Sequence, residues 1–152
     1  MSIEAKLQEM ELQLPEFKPS AHPLLPGRIS GNLIFSSGAV ARKEGKLVHP
    51  GIVGRDVSLE QAQEAAVVAT LNCLANIKAV VGDLDRVSKI IKINGFVASD
   101  PSFVQQAQVI NAVSQLLIDL WGENGQHART ALGVAALPGG TPVEVEIIAE
   151  FK

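Results

Sequence analysis

Arg129 opens an otherwise apolar stretch, ARTALGVAALPGG (128–140), and Glu144 and Glu146 follow it in TPVEVEII. An arginine there places a permanent charge at the mouth of a segment built for burial, and a buried charge without a partner is costly. Two kinds of partner satisfy it. One is internal: Glu144 or Glu146, across a hairpin joining the last two strands. The other is the carboxylate of a ligand, which a guanidinium grips through two parallel hydrogen bonds. The glutamates are equally two-sided. They form a solvated strand face, or they are partly desolvated carboxylates able to polarise a water molecule.

Other polar residues admit simpler readings. His127 shares the Arg129 face of an extended strand and reads as a surface or loop histidine. Ser36 and Ser37, in SSG (36–38), either satisfy the backbone at a strand end or offer hydroxyl and N–H groups to a small ligand. No His–Asp pair is placed to activate a serine, so a nucleophilic triad has no support. Cys73 lies on a helix core stripe and reads as packing. Asn111 sits in mid-helix, where a side-chain hydrogen bond to a neighbouring loop is expected. LPGGTP is a turn rather than a phosphate cradle, because no lysine follows and no helix opens after it. The three histidines and Cys73 lie too far apart for metal-ligand spacing.

The elements that must position these groups follow from pattern. Ile3, Leu7 and Met10, with Leu14, line one side of a short N-terminal helix that Pro15 ends. The proline-rich KPSAHPLLPGR (18–28) is a loop. Gly31-Asn32 suits a tight hairpin turn, and KEGK (43–46) a second one. A long helix begins at Ser58, whose spacing to Gln61 is that of a capping box, and Gly82 stops it. Its core stripe is Ala62, Ala66, Ala69, Cys73, Ile77 and Val80. RVSKIIKINGFVA (86–98) is a strand. Asp100 caps a second helix with Pro101 at its first position, and Phe103, Ala107, Ile110, Leu117 and Leu120 form its stripe. Strands over 128–137 and 143–151 close the chain, with Val143, Val145, Ile147, Ala149 and Phe151 on the inner face of the last one. The order argues for a single α+β domain over 1–152, with helices on one face of a mostly antiparallel sheet and an N-terminal helix and loop extension at 1–27. The sheet's other face also needs a cover, and self-association supplies one.

Bulk properties narrow the function. Apolar residues make up 47% of the 152, enough for a core. The net charge is −3, no run of Lys or Arg forms a stripe, and aromatics are 4%, so nucleic acid is a poor partner. Uninterrupted apolar runs are short for a membrane span. The first residues lack the features of a secretory signal, and one cysteine permits no internal disulfide, so a cytoplasmic protein is expected.

GNLIFSSG (31–38), ARTALGVAALP (128–138) and VEVEIIAEF (143–151) resemble the RidA/YjgF family, the reactive intermediate (enamine/imine) deaminases, known in older descriptions as endoribonuclease L-PSP or translation inhibitors. The likeness spans about residues 28 to 151. It implies a chorismate-mutase-like α+β fold and a homotrimer whose three sheets face one another around a central barrel, with clefts between adjacent subunits. It also implies hydrolysis of small carboxylate-bearing imines or enamines to 2-oxo acids and ammonia, with no metal or organic cofactor. By position, Arg129 corresponds to the arginine that holds the substrate carboxylate. Glu144 corresponds to the catalytic acid that positions or activates water. Ser37 and Gly38 line the pocket, and the Ala131 backbone lies where main-chain groups are used. Asn111 corresponds to a helix asparagine near the cleft once the WGENGQHAR region is shifted by one residue. The chain departs from the family at several points. It has no tyrosine, and Leu24 stands near the early-loop position that usually carries one. Ala131 replaces a frequent cysteine, the N-terminal helix is extra, and WGENGQ is a longer connection. These differences imply a divergent branch with an altered substrate range or a weakened activity.

Overall fold

In the computed structural model, which describes residues 1–152, the chain runs α1 (Ile3–Glu9), β1 (Gly27–Ser30), β2 (Leu33–Ser36), β3 (Ala39–Val40), β4 (Arg42–Lys43), β5 (Lys46–Leu47), α2 (Leu59–Val81), β6 (Val87–Ala98), α3 (Gln106–Trp121), β7 (Ala128–Val134) and β8 (Val143–Phe151). The main sheet has the order β1-β2-β8-β6-β7, with β3 pairing a second stretch of β8. Every pairing is antiparallel except β6 with β7, which α3 connects as a parallel crossover. Both main helices pack on one face, so the α+β architecture stands.

Local chemistry explains most elements. The Gly31-Asn32 turn joins β1 to β2 in two residues, and Glu44-Gly45, both at positive φ (52° and 80°), joins β4 to β5. Ser58 accepts the Gln61 N–H at 3.1 Å while the Gln61 side chain accepts the Ser58 N–H at 3.0 Å. Along α2, Ala62, Ala65, Ala66 and Ala69 are fully buried, and such small side chains let the helix lie close to the sheet. This helix is long and apolar enough to cross a bilayer by length and composition, a property the sequence reading overlooked. Here it is the core helix, packed on β8, β2 and α3.

Three expectations need correction. First, α1 is shorter than its apolar pattern. It ends at Glu9 with Met10 as its cap, and Glu11 turns away at φ +58° well before Pro15. The helix still docks: Leu7 is buried, the Ile3 N–H donates to Asp85 (2.8 Å) and Lys6 to the Leu120 carbonyl (2.7 Å). Second, Asp100 does not cap α3. Its carboxylate takes the Ser102 N–H (2.9 Å) and hydroxyl (2.7 Å) in a local turn, and the helix starts at Gln106. Phe103 therefore precedes the helix and Ala107 is exposed, while Val109, Ile110, Val113, Leu116, Leu117 and Leu120 form the buried stripe. Third, β7 stops at Val134, and β7 and β8 do not form a hairpin. Strand β6 lies between them, pairing β7 on one side and β8 on the other.

Gly95 sets how closely α3 approaches this sheet. A Cβ there would run into the Ile110 side chain, with Cγ1 at 2.6 Å and Cγ2 at 2.9 Å. Gly95→Ala is expected to destabilise the protein by about 1–3 kcal/mol through overpacking, read as a lower midpoint in denaturant. An unchanged midpoint would show that α3 has room to shift outward.

Candidate active site

The register decides which residues can meet. Arg129 stands beside Ile93, which is fully buried under the helices. Alternation therefore turns Arg129, Ala131 and Gly133 toward α3, and Thr130 and Leu132 toward the uncovered face. On β8, Val143, Val145 and Ile147 point into the core, so Glu144 and Glu146 point to the uncovered face, beside Phe96 and Asn94. Arg129 and Glu144 thus lie on opposite faces, two strand spacings apart, roughly 10 Å sideways before the sheet's thickness is added. The internal ion pair between Arg129 and Glu144 or Glu146 does not form.

Neutral groups hold Arg129 instead. Its Nη1 donates to Asn111 Oδ1 (2.8 Å) and to Ser114 Oγ (3.2 Å). These two residues lie three apart on α3, the spacing that puts both on one helix face. No carboxylate pairs with Arg129; the ion pairs are His49–Glu64, Arg55–Asp56, Lys78–Glu4 and Lys89–Glu150. Both Nη1 protons are engaged, while Nε and Nη2 donate to no group of the chain. That free edge of the fork matches a carboxylate. Arg129, Ser114 and His127, with Ile118 and Gln126, line an open cavity of about 280 Å3. Half-buried Ala131 follows on the same side of β7, next to Gly95.

His127 is the loop histidine the sequence allowed, half-buried just before β7. Its Nδ1 lies 2.6 Å from the Gly125 carbonyl and its Nε2 2.9 Å from the Ser114 hydroxyl. Ser114 escaped the sequence reading altogether. Its three-residue spacing from Asn111 is the one signal that points to it.

The second cluster surrounds Glu144. Gly38 passes over its carboxylate so closely that a Cβ would stand 2.9 Å from Oε1 and 3.0 Å from Cδ. Ser37 donates its hydroxyl to the Leu25 carbonyl (2.5 Å) and its N–H to the Pro26 carbonyl (2.9 Å), tying the early loop to the end of β2. Leu24, 51% exposed, belongs to that loop. The Asn94 amide donates to Glu146 (2.9 Å), whereas Glu144 accepts no hydrogen bond. Desolvation, then the charge of Glu146, holds the Glu144 carboxyl above its ordinary value. Ser36 takes the strand-end role: its hydroxyl accepts the Ile147 N–H (2.9 Å) and meets Cys73 Sγ at 3.0 Å. Burial pushes the Cys73 thiol up to about 12, which leaves it an unreactive packing group. No three His, Cys, Asp or Glu side chains converge on a metal-sized space.

Comparison with known proteins places the fold. A family model described as "YjgF/chorismate mutase-like, putative endoribonuclease" matches residues 4–151. Protein TCP17 of Trypanosoma cruzi is 36% identical over 151 residues, covering 99% of this chain and 94% of that protein. Atu1372 of Agrobacterium tumefaciens, solved as a protein of unknown function, is 44% identical with a TM-score of 0.91, covering 99% of this chain and 92% of that one. A Shewanella oneidensis protein, also described as a putative endoribonuclease, superposes with a TM-score of 0.94 at 28% identity, covering 99% of this chain and all (100%) of that one.

The raised Glu144 value carries a stability consequence. The folded state favours the protonated form, so its contribution is complete below the unfolded carboxylate value and is lost as pH rises through the folded value. Glu144→Gln, which cannot ionise, is expected to melt above the wild type at about pH 7, with the gap closing by about pH 3. A variant that melts lower at neutral pH would mean the carboxylate is stabilised where it stands.

Proposed function

The chain belongs to the YjgF/chorismate mutase-like family, and from that premise we propose that it hydrolyses small carboxylate-bearing imines or enamines to 2-oxo acids and ammonia, in a cleft between two copies of the chain. The observation that carries this reading is the state of Arg129. Its guanidinium is oriented by neutral acceptors, is unpaired with any acid, and faces an open cavity. An arginine kept in that condition serves an incoming anion better than it serves the fold.

Glu144 supplies the second half. It is partly desolvated, accepts no hydrogen bond, and has its pKa displaced toward neutrality, as suits a general base. Because Arg129 and Glu144 occupy opposite faces, one copy does not bring both to one small substrate. A second copy whose uncovered sheet face packs near the β7 edge of the first does so, and a homotrimer of facing sheets repeats that contact in a closed ring. Phe35 and Leu132, 41% and 47% exposed on the uncovered face, are apolar surface that such packing covers.

In that cleft the Arg129 fork fixes the substrate carboxylate, and Glu144 takes a proton from a water beside the C=N carbon. Water oxygen bonds to carbon, and nitrogen receives the proton. The carbinolamine then collapses: Glu144 takes the hydroxyl proton and passes it to nitrogen, the C–N bond breaks, C=O forms, and ammonia leaves. Positioning and general base action suffice, with no covalent intermediate. Ser37 and Gly38 wall the Glu144 side, and Leu24, in place of the family's tyrosine, offers an apolar surface to the substrate side chain. The family description also mentions ribonuclease activity. A net charge of −3 with no basic stripe gives a phosphate backbone little to bind.

The test couples an amino-acid oxidase to the protein and follows decay of the imine it releases. Wild type is expected to speed decay, and Arg129→Ala to lose about 100-fold in kcat/KM, with Arg129→Lys recovering only part. If wild type leaves the decay rate unchanged yet binds pyruvate, the cleft is a carboxylate-binding site without turnover.

A further inference from the structure

The hydrogen bonds around Arg129 run in one direction. A carbonyl only accepts, so the His127 Nδ1 facing the Gly125 oxygen carries the ring proton. In the neutral ring that leaves Nε2 as an acceptor, and it takes the Ser114 hydroxyl proton. With its one proton committed, the Ser114 oxygen presents lone pairs to Arg129 Nη1 at 3.2 Å. Asn111 receives the other Nη1 proton. The far end is anchored too: Gly125 lies against the last turns of α3, where a Cβ would strike the Leu117 carbonyl and Ile118 Cα.

We infer that Ser114 and His127 are positioning residues that orient the Arg129 guanidinium for an incoming carboxylate, with His127 acting by aiming the Ser114 hydroxyl. The inference rests on the reading of Arg129 as a carboxylate anchor. Both residues also line the cavity beside Arg129, but the role assigned to them acts through the guanidinium. Without His127 the hydroxyl is free to rotate and to turn its own proton toward the guanidinium, removing an acceptor from Nη1. With it, Nη1 is saturated and the Nε–Nη2 edge is the face left for a ligand. A carboxylate in place of the serine would orient Arg129 as well but would neutralise it, and the anion would lose its partner. A neutral relay orients the charge and leaves it available, so the anchor's ordering cost is met before the ligand arrives.

Three variants separate aiming from mere packing. Ser114→Ala removes the acceptor. His127→Asn keeps a donor near Nδ1 but has no atom near Nε2, whereas His127→Gln places an amide oxygen near Nε2 that can take the serine proton. Two readouts apply to the full chain: side-chain nitrogen NMR signals of Arg129 without ligand, and pyruvate affinity by calorimetry, with melting temperature confirming the fold. Wild type and His127→Gln are expected to show separate Nη signals from slowed rotation, and Ser114→Ala and His127→Asn averaged ones. Pyruvate binding is expected to weaken about 10-fold in the latter two and to stay within about 2-fold in His127→Gln. Equal behaviour of the Asn and Gln variants, in either direction, overturns the relay. If the Arg129 signals follow the expected order while wild type fails to bind pyruvate, the relay stands and the carboxylate reading falls.

Discussion

A positive charge held by neutral atoms is the feature on which the rest of the account turns. Arg129 is half-buried, hydrogen-bonded to Asn111 and Ser114, and unopposed by any carboxylate of its own chain. A half-buried guanidinium paired with an internal acid would be a structural element, its field cancelled and its donors spent. Neutral acceptors pay part of the desolvation cost while leaving the charge in place. The fold tolerates the remainder because β7 is an edge strand, where Arg129 lines an open cavity rather than the core.

The topology makes that arrangement and also limits it. The crossover from β6 through α3 to β7 lays the middle of α3 against the start of β7, which is how Asn111 and Ser114 reach Arg129. Gly95 allows the approach, since any side chain there would press on Ile110. On the other side of β6, the alternation of β8, with Val143, Val145 and Ile147 buried, turns the acids to the uncovered face, where Gly38 leaves just enough space above the Glu144 carboxylate. Each half is well formed within one chain, yet the two look in different directions. In the proposed shared cleft, that division is what would give self-association a chemical purpose beyond covering apolar surface.

Short-range signals were readable from the amino acids. The Ser58–Gln61 cap, the Gly31-Asn32 and Glu44-Gly45 turns and the β-branched run of β6 each depend on neighbours a few residues away. Asp100-Pro101 misled because a cap-like pair meets a chain still held by the sheet: the Ser99 N–H bonds the Val134 carbonyl and the Asp100 N–H that of Val53. Those long-range bonds keep the segment extended and delay α3 to Gln106. PGGTP resembled a hairpin turn, but whether β7 pairs with β8 or with β6 is decided by packing far along the chain. The same non-local choice set Arg129 and Glu144 two strand spacings apart, and the register that puts Arg129 beside buried Ile93 turned it to the helix side, opposite Glu144. Arg129, Asn111, Glu144 and Gly38 were legible through family resemblance, and the structure assembles them into two clusters. Ser114 was not, since a serine in mid-helix has no local mark until the register brings Arg129 beneath it.

The central claim is that Arg129 of one copy and Glu144 of another make one site. Mixing two inactive variants tests it most directly. Arg129→Ala and Glu144→Gln are unfolded together, refolded as a mixture and assayed for imine hydrolysis. Random assembly gives about one quarter of the clefts an intact arginine from one copy and an intact glutamate from its neighbour, so about one quarter of wild-type activity should return. A mixture as inactive as either variant alone, despite confirmed mixed assemblies, would contradict a shared site.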